Sequence, residues 1–389
     1  MAEEYIGEQD LAQLMMAPLK DNTTDDPCRQ EGVEEVMAFL KMNVTFNRSS
    51  CHSQEPGFIT YSQAFYSYFT PVILIIGLTG NILSLRVFVS RNMRKLSAST
   101  YLAALSTSDI MALVFYVLVD WLRRGLPFFS GNHEPVFLET HGVCQIALYL
   151  SYVCRFLSAW FIVTFTVERY IGVCHPLRRK DICGSRCAQK VIGSLVVIGM
   201  CLMMYKPILS GVYTLKPTNV QRCTADPNLK FVSFTLDSIF AVSITLVPFM
   251  IITVLNTMII RKLYMRYRRH KQCNVITEES IIRLEFTIIL LVVSFVFIML
   301  NLPFFCVWCK QFLLSASEVV IFPGLQGSLL ITRVIFYMNY CINFFLYSIT
   351  GAYFRQELRM LFVYRNKRYM EYGRYSRNNS NTPTPQSWV

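Results

Sequence analysis

Charge is scarce in this sequence. Only 16% of its 389 residues are Asp, Glu, Lys or Arg, against about 25% in soluble domains. With 53% hydrophobic residues and a mean hydropathy of +0.38, that deficit argues for a membrane protein before any motif is read. Zinc-type cysteine spacing is lacking as well. Thirteen cysteines yield one CxxC, Cys306 to Cys309, in an apolar run with no histidine and no second CxxC beside it. A zinc site there is rejected. No HExxH, P-loop or nucleophile elbow occurs, so no enzyme signature is present. The start, MAEEYIGEQD, is acidic and lacks the basic-then-apolar order of a cleaved signal. The first apolar run is therefore expected to act as an uncleaved targeting signal. No half of the chain repeats the other, which argues against a seven-helix transporter or channel.

The chain does contain a series of long apolar runs. They cover Phe58–Leu85, Leu96–Leu122, Cys144 to Arg169, Cys187–Leu209, Phe231–Ile260, Phe286–Cys309 and about Gln326 to Thr350. Cys144 to Arg169 would rise about 37 Å as a helix, enough to cross a hydrocarbon core and reach both headgroup layers. The expected fold class is an all-α membrane protein, a seven-transmembrane helix bundle with a short amphipathic eighth helix. The expected divisions are residues 1–60 as an extracellular tail, 61–350 as the bundle, 351–363 as a helix on the membrane surface and 364–389 as a disordered cytoplasmic tail. In the surface helix Phe354, Leu358, Leu361 and Phe362 share one face, the pattern of an interfacial helix.

Net charge is +12. In a membrane protein such an excess sets orientation, and no nucleic-acid partner is inferred from it. The turns after the first, third and fifth runs hold RNMRK, RRK and RKLYMRYRRHK. Residues 1–60 hold eleven acids against four bases, with sequons at Asn22, Asn43 and Asn47. An outside N-terminus, an inside C-terminus and a plasma-membrane location follow. Cys144 and Cys223 would then both be extracellular, where disulfides persist. Cys28 and Cys51 could pair in the tail or stand as spectators. Thr382-Pro and Thr384-Pro are candidate phosphorylation sites. The last three residues, Ser387-Trp388-Val389, suit a PDZ groove, although three residues match such a pattern by chance often.

Ionisable residues inside the runs are candidate functional residues, because a charge in lipid costs several kcal/mol unless it faces protein or water. Asp109 and Asp120 lie eleven residues apart and should share a helix face, both turned into the bundle. Arg155, Asp237 and Arg333 lie in other runs. With Asp120 they would form a mouth carrying both signs of charge. Aromatic residues surround it: Trp121, Tyr149, Tyr152, Phe304, Phe305 and Trp308. Peptide backbone, basic side chains and an amidated end would suit such a site. The bland reading is that Asp120 pairs with Arg155, or Asp237 with Arg333, and none touches a ligand. Phe304 and Phe305 cannot both face the cavity fully.

Seven runs, Asn81, Asp109, Glu168-Arg169-Tyr170, the Cys144/Cys223 pair and Asn343-Phe-Phe-Leu-Tyr347 together resemble the rhodopsin-like G-protein-coupled receptors. The resemblance covers roughly residues 60–363 and implies the Cys144–Cys223 disulfide. It implies that Glu168 holds Arg169 at rest, that Arg169 then meets a heterotrimeric G protein, and that Tyr347 swings inward on activation. Asp109, Ser158, Asn339 and Asn343 match the positions that bind an allosteric sodium ion; no other cofactor is implied. Arrestin and receptor kinases are implied partners on the cytoplasmic side, beside membrane lipid. Several family positions differ. The sixth run has Leu300-Asn301-Leu302-Pro303 where CWxP is usual, leaving Phe297 below the proline. Asn343-Phe344-Phe345-Leu346-Tyr347 lacks the proline of NPxxY, and Asn256 stands where a tyrosine is usual. These departures are similar to invertebrate receptors for FMRFamide-like and related amidated neuropeptides. Ser151 stands where amine receptors carry an acid, and the seventh run has no lysine for a retinal Schiff base. An amidated peptide is the ligand so implied; a lipid or other small molecule is the alternative.

Overall fold

The computed structural model describes residues 56–130, 136–175, 184–215, 220–270, 278–316 and 323–363. Among the described residues six helices are long and apolar enough to cross a membrane: α1 (Gly57–Phe88), α2 (Ser97–Ser130), α3 (Val143–Cys174), α4 (Ser185–Leu209), α5 (Pro227–Met265) and α6 (Ile281–Gln311). A seventh, α7, is a pair, Gly324–Cys341 and Asn343–Thr350, bent by 50° between its halves. Residues 352–363 form a further helix, α8. The sequons, Cys28, Cys51, Thr382, Thr384 and the last three residues lie outside the described residues.

The bundle is built around α3. Of its most apolar stretch 72% is buried, against 17% for α4, so α3 packs among helices while α4 faces lipid. Phe156, Phe161, Ile162 and Phe165 of α3 join Phe240, Ile252, Leu290 and Phe297 in one apolar core. A second core, toward the outer end, joins Tyr66, Leu113, Tyr116, Val334 and Tyr337. Where α1 meets α7 the backbones come close. A Cβ on Gly80 would fall 2.9 Å from Cβ of Phe344, the use made of small residues between helices in lipid.

Three backbone irregularities shape the site. In α2 the residues Leu113–Leu118 form a π turn. One inserted residue rotates the remainder of the helix by about 100°. The shared face expected for Asp109 and Asp120 is thereby corrected. Asp109 looks toward α3 and the inner half of α7, whereas Asp120 is turned to the seam of α1 with outer α7. In α5 the helix breaks at Thr245, because Pro248 has no N–H for the carbonyl of Ile244 and its ring crowds that oxygen. In α7 the bend falls at Ile342, with no proline there.

Between α4 and α5, where a polar loop was expected, lies an antiparallel hairpin of β1 (Ser210–Leu215) and β2 (Val220–Ala225). Cys223 on β2 is disulfide-bonded to Cys144 at the start of α3, with a Cα–Cα distance of 5.7 Å. The backbone N–H of Cys223 also donates to the Glu139 carboxylate, which faces Arg123 at 3.7 Å. At the other end α8 is held by a residue that the amphipathic pattern overlooked. Glu357 is buried and accepts from Asn92 Nδ2 at 2.8 Å and Ser90 Oγ at 3.2 Å. Phe354 is buried beside it, while Phe362 is exposed.

Candidate functional site

A cavity of about 70 Å³ opens under the hairpin, lined by α2, α3, α4, α5, α7 and Thr224 and Ala225 of β2. That is room for a handful of waters. Asp120, Tyr152, Arg155, Asp237 and Arg333 all line it. The sequence placed these five on four different helices, and the bundle brings them together.

Asp120 is an acceptor for four groups. Its Oδ1 accepts from Arg124 Nε at 2.8 Å. Its Oδ2 accepts from the hydroxyls of Tyr66, at 2.8 Å, and Tyr337, and lies 3.4 Å from Arg333 Nη1. An ionised carboxylate offers roughly four acceptor sites, so this one is fully engaged. Asp237 accepts from Tyr205 Oη at 3.0 Å and from Lys206 Nζ at 2.7 Å. The pairing therefore differs from the two pairs weighed in the sequence. Asp120 is joined to Arg333 and Arg124, and Asp237 to Lys206. Lys206, Tyr66 and Tyr337 were all missed. Lys206 sits one position before Pro207 near the end of an apolar run, and its charge was the one available signal. It is only 3% exposed.

Arg155 is stacked among aromatic rings. Its Cζ lies 4.3 Å from the centroid of Tyr116, 4.4 Å from Tyr152 and 4.9 Å from Phe240, and its Nε donates to the Ser151 carbonyl at 3.3 Å. Such contacts are worth about 0.5–2 kcal/mol each and keep the charge in place. The π turn contributes Tyr116 to this cage. Lys206 Nζ approaches the same Tyr152 ring at 4.6 Å.

Three of the expected contact residues do not line the cavity. Trp121 is swung toward α1, where its Nε1 donates to the Ser67 carbonyl at 2.9 Å, a result of the same rotation that moved Asp120. Phe304 packs on Phe336 at 5.2 Å between ring centroids and lies under Arg333. Trp308 stacks with Phe305 at 6.2 Å. The structure thus makes Phe304 a packing residue, as one of the two phenylalanines had to be.

Midway down, buried Asp109 accepts from Ser158 Oγ at 2.6 Å and Asn343 Nδ2 at 2.7 Å. Asn339, one turn before Asn343, is buried beside them and its carbonyl accepts from Asn343 at 3.3 Å. Asn81 ties α1 to α7 through the Tyr340 carbonyl at 2.7 Å.

At the inner end Glu168 and Arg169 are joined at 2.5 Å. Ser97, at the start of α2, donates to Glu168 Oε1 at 2.5 Å and accepts from Arg169 Nη2 at 3.3 Å. This third partner was not evident in the sequence, since it comes from another helix. Tyr170 lies against His175 at 5.6 Å. Phe297 is in the core. Tyr347 is fully buried between Phe88 and Phe354, and its hydroxyl has no hydrogen-bond partner among the described residues. The same holds for Oδ1 of Asn256.

A ring of charges under an outer hairpin, joined through buried α3 to an acid–arginine pair, is the arrangement of a transmembrane receptor. Residues 80–347 match the family model described as 7 transmembrane receptor (rhodopsin family), and the chain belongs to that family. It is a multi-pass membrane receptor and not an enzyme. It is 26% identical over 318 residues to the thyrotropin-releasing hormone receptor of Gallus gallus, covering 75% of this chain and 77% of that one. It is 22% identical over 383 residues to the sex peptide receptor of Drosophila melanogaster, covering 90% and 84%. It is 24% identical over 324 residues to cysteinyl leukotriene receptor 2 of Mus musculus, covering 82% and 98%.

Proposed function

We propose that this chain is a receptor for an extracellular neuropeptide that signals through a heterotrimeric G protein. In this reading the N-terminus is outside, at the plasma membrane, with the sequons of its tail glycosylated, and the C-terminus is cytoplasmic. One observation carries the ligand reading above the rest. The cavity under the hairpin is lined by charged side chains from five helices interleaved with aromatic rings, a surface that suits the mixed polarity of a peptide. Names among the relatives point the same way, since two of the three are receptors for a releasing hormone and a sex peptide. Amidation of the peptide is supported by the similarity of the Asn301, Asn256 and Asn343–Tyr347 motifs to amidated-peptide receptors. A leukotriene receptor among the relatives keeps a lipid as the second reading.

The small cavity implies that a peptide enters by parting the hairpin and helices. Binding would favour a state open at the cytosolic end, by no more than the ligand's difference in affinity between the two states. At rest Glu168 and Ser97 hold Arg169; release of Arg169 would give the G protein its contact. Tyr347 is part of this reading. A buried hydroxyl without a partner costs about 1–3 kcal/mol, so its resting position is one it gains by leaving. A sodium ion would be held by Asp109 and Ser158, beside Asn339 and Asn343. Their oxygens fit a small hard cation in kind, and the ion would supply charge compensation to Asp109 at rest. Arrestin, receptor kinases and a PDZ protein would act on the cytoplasmic tail.

The test is a screen of amidated peptides on cells expressing the receptor, read as calcium and cAMP. A responding peptide should lose signalling and keep binding on Arg169→Ala. Silence across the library at confirmed surface expression, with a response to lipids, would replace the peptide reading by the second.

A further inference from the structure

The helix α8 starts without a capping side chain of its own. Its first residue is Ala352, and Gly351 stands at the N-cap, where its carbonyl accepts from the Arg355 N–H at 3.1 Å. An N-cap side chain ordinarily accepts from the second or third N–H of its helix. Glycine has no side chain to do so, and the junction with α7 has no room for a larger residue. A Cβ on Gly351 would fall 2.7 Å from the Tyr347 carbonyl oxygen, 2.9 Å from Phe354 Cβ and 3.1 Å from Cδ1 of Ile289 on α6. The first donors of α8 must therefore be met from elsewhere.

Glu285 of α6 meets them. Its Oε1 accepts from the Tyr353 N–H at 2.7 Å, and the Phe354 N–H acts on the same carboxylate. These are the second and third N–H groups of α8, the ones a serine or aspartate N-cap would take. A carboxylate there also faces the positive end of the helix dipole. Ile289, one turn further along α6, rests on Gly351, so two successive turns of α6 touch the start of α8. The rest of α8 is fastened to the other side of the bundle. Glu357 ties it to Ser90 and Asn92 in the turn between α1 and α2. Phe354 packs on Phe88 of α1 and Tyr347 of α7, at 5.3 and 5.8 Å between ring centroids. Inner α6 joins α3 in a core of apolar side chains, Phe286, Ile289 and Leu290 with Ile162 and Phe165. Such faces can part without leaving a polar group unpaired. The bond at Glu285 cannot.

We propose that Glu285 is a positioning residue of the resting receptor: it lends α8 the cap that Gly351 cannot carry, and so latches the inner end of α6 to α8 until the cytosolic crevice opens. The proposal rests on the reading of the chain as a receptor with a resting and an open state. On opening, α6 leaves α8, and water takes over the N–H groups of Tyr353 and Phe354 and the Glu285 carboxylate. Tyr347 connects this latch to the bundle, because its ring lies against Phe354. Departure of Tyr347 and release of the cap disturb the same short stretch of backbone.

The experiment uses the full-length receptor, in cells and purified. In cells at matched surface expression, Glu285→Ala should raise basal signalling roughly fivefold, through loss of a hydrogen bond to a charged group at a half-exposed site. Glu285→Gln keeps an acceptor and loses the charge. It should raise the baseline roughly twofold, since the charged bond is about twice as strong as the neutral one. Tyr353→Pro removes the donor in a first helical turn, where proline is tolerated, and should add nothing to Glu285→Ala. In purified receptor without ligand, spin-labelled noncanonical residues at the exposed positions Leu284 and Arg359 read the separation of α6 from α8. The distance distribution should gain a longer component in Glu285→Ala and a smaller one in Glu285→Gln. Where Glu285→Ala does not fold, Glu285→Gln decides. An unchanged distribution in the variants that fold would overturn the proposal. So would a raised baseline without any change in distance, which would place the action of Glu285 elsewhere. The outcome is separable from the receptor reading. Silence of every variant in cells beside a widened distribution would sink signalling through a G protein and leave the latch standing. A peptide response beside an unchanged distribution would do the reverse.

Discussion

At the outer side of α3, Arg155 lines a cavity with acids and cations from four other helices, beneath a hairpin tied to Cys144. At its inner end Arg169 is matched by the acid next to it, and Ser97 of α2 completes the triangle. The two arginines lie on one helix and experience different physics. The outer one is held in an aromatic cage of Tyr116, Tyr152 and Phe240. The inner one is held by a carboxylate, which cancels it. A cancelled charge must first lose its partner before it can act. In the proposed reading the two arginines, toward opposite ends of one helix, serve sensing and reporting.

The sharpest way to break the outer half of this comparison is Asp120→Asn. It removes the one carboxylate common to Arg124, Arg333, Tyr66 and Tyr337. Uncompensated buried charge should cost about 3–5 kcal/mol, read as lost surface expression. Adding Arg333→Met should recover part of that loss, since the second change removes the stranded cation; no recovery would mean that the acid matters for another reason. Cys223→Ala frees the hairpin from α3, opening a loop whose ends are 79 residues apart. A loss of about 2–5 kcal/mol is expected, seen as a lower unfolding midpoint in the purified receptor, with the inner triangle untouched.

At the inner end the effects should be read in signalling. Glu168→Gln keeps shape and removes the charge that neutralises Arg169. Basal signalling should rise severalfold; an unchanged baseline would show that the pair does not restrain the receptor. The smallest effect has the opposite sign. Tyr347→Phe deletes a buried hydroxyl that has no partner among the described residues. The resting state should gain about 1 kcal/mol, raising the unfolding midpoint while agonist efficacy falls. A lowered midpoint would mean that the hydroxyl is already satisfied at rest.

Much of this architecture is local and was legible in the chain. An apolar run long enough to span a bilayer announces itself by length and composition, whatever it packs against. The charges worth attention were also local, because each stands out against lipid-compatible surroundings. Asp120, Asp237, Arg155 and Arg333 do line one cavity. The chain did not disclose who pairs with whom. Asp237 meets Lys206, 31 positions away, and Asp120 meets Tyr337, 217 away. Neither separation carries any signal in a single sequence. Trp121 illustrates the same limit on a smaller scale. Its face was inferred from a regular α-helical period, and one π turn carried it from the cavity toward α1.

Sequence alone, then, determined the number of crossings, the residues too costly to leave in lipid and the acid–arginine motif at the inner end of α3, because these depend on each segment's free energy in a bilayer. Only the tertiary structure decided that the outer acids are already spent on the protein's own tyrosines, arginines and lysine, and that a hairpin roofs the cavity. Charge balance is a sum over neighbours in space. It has no value until the helices are packed.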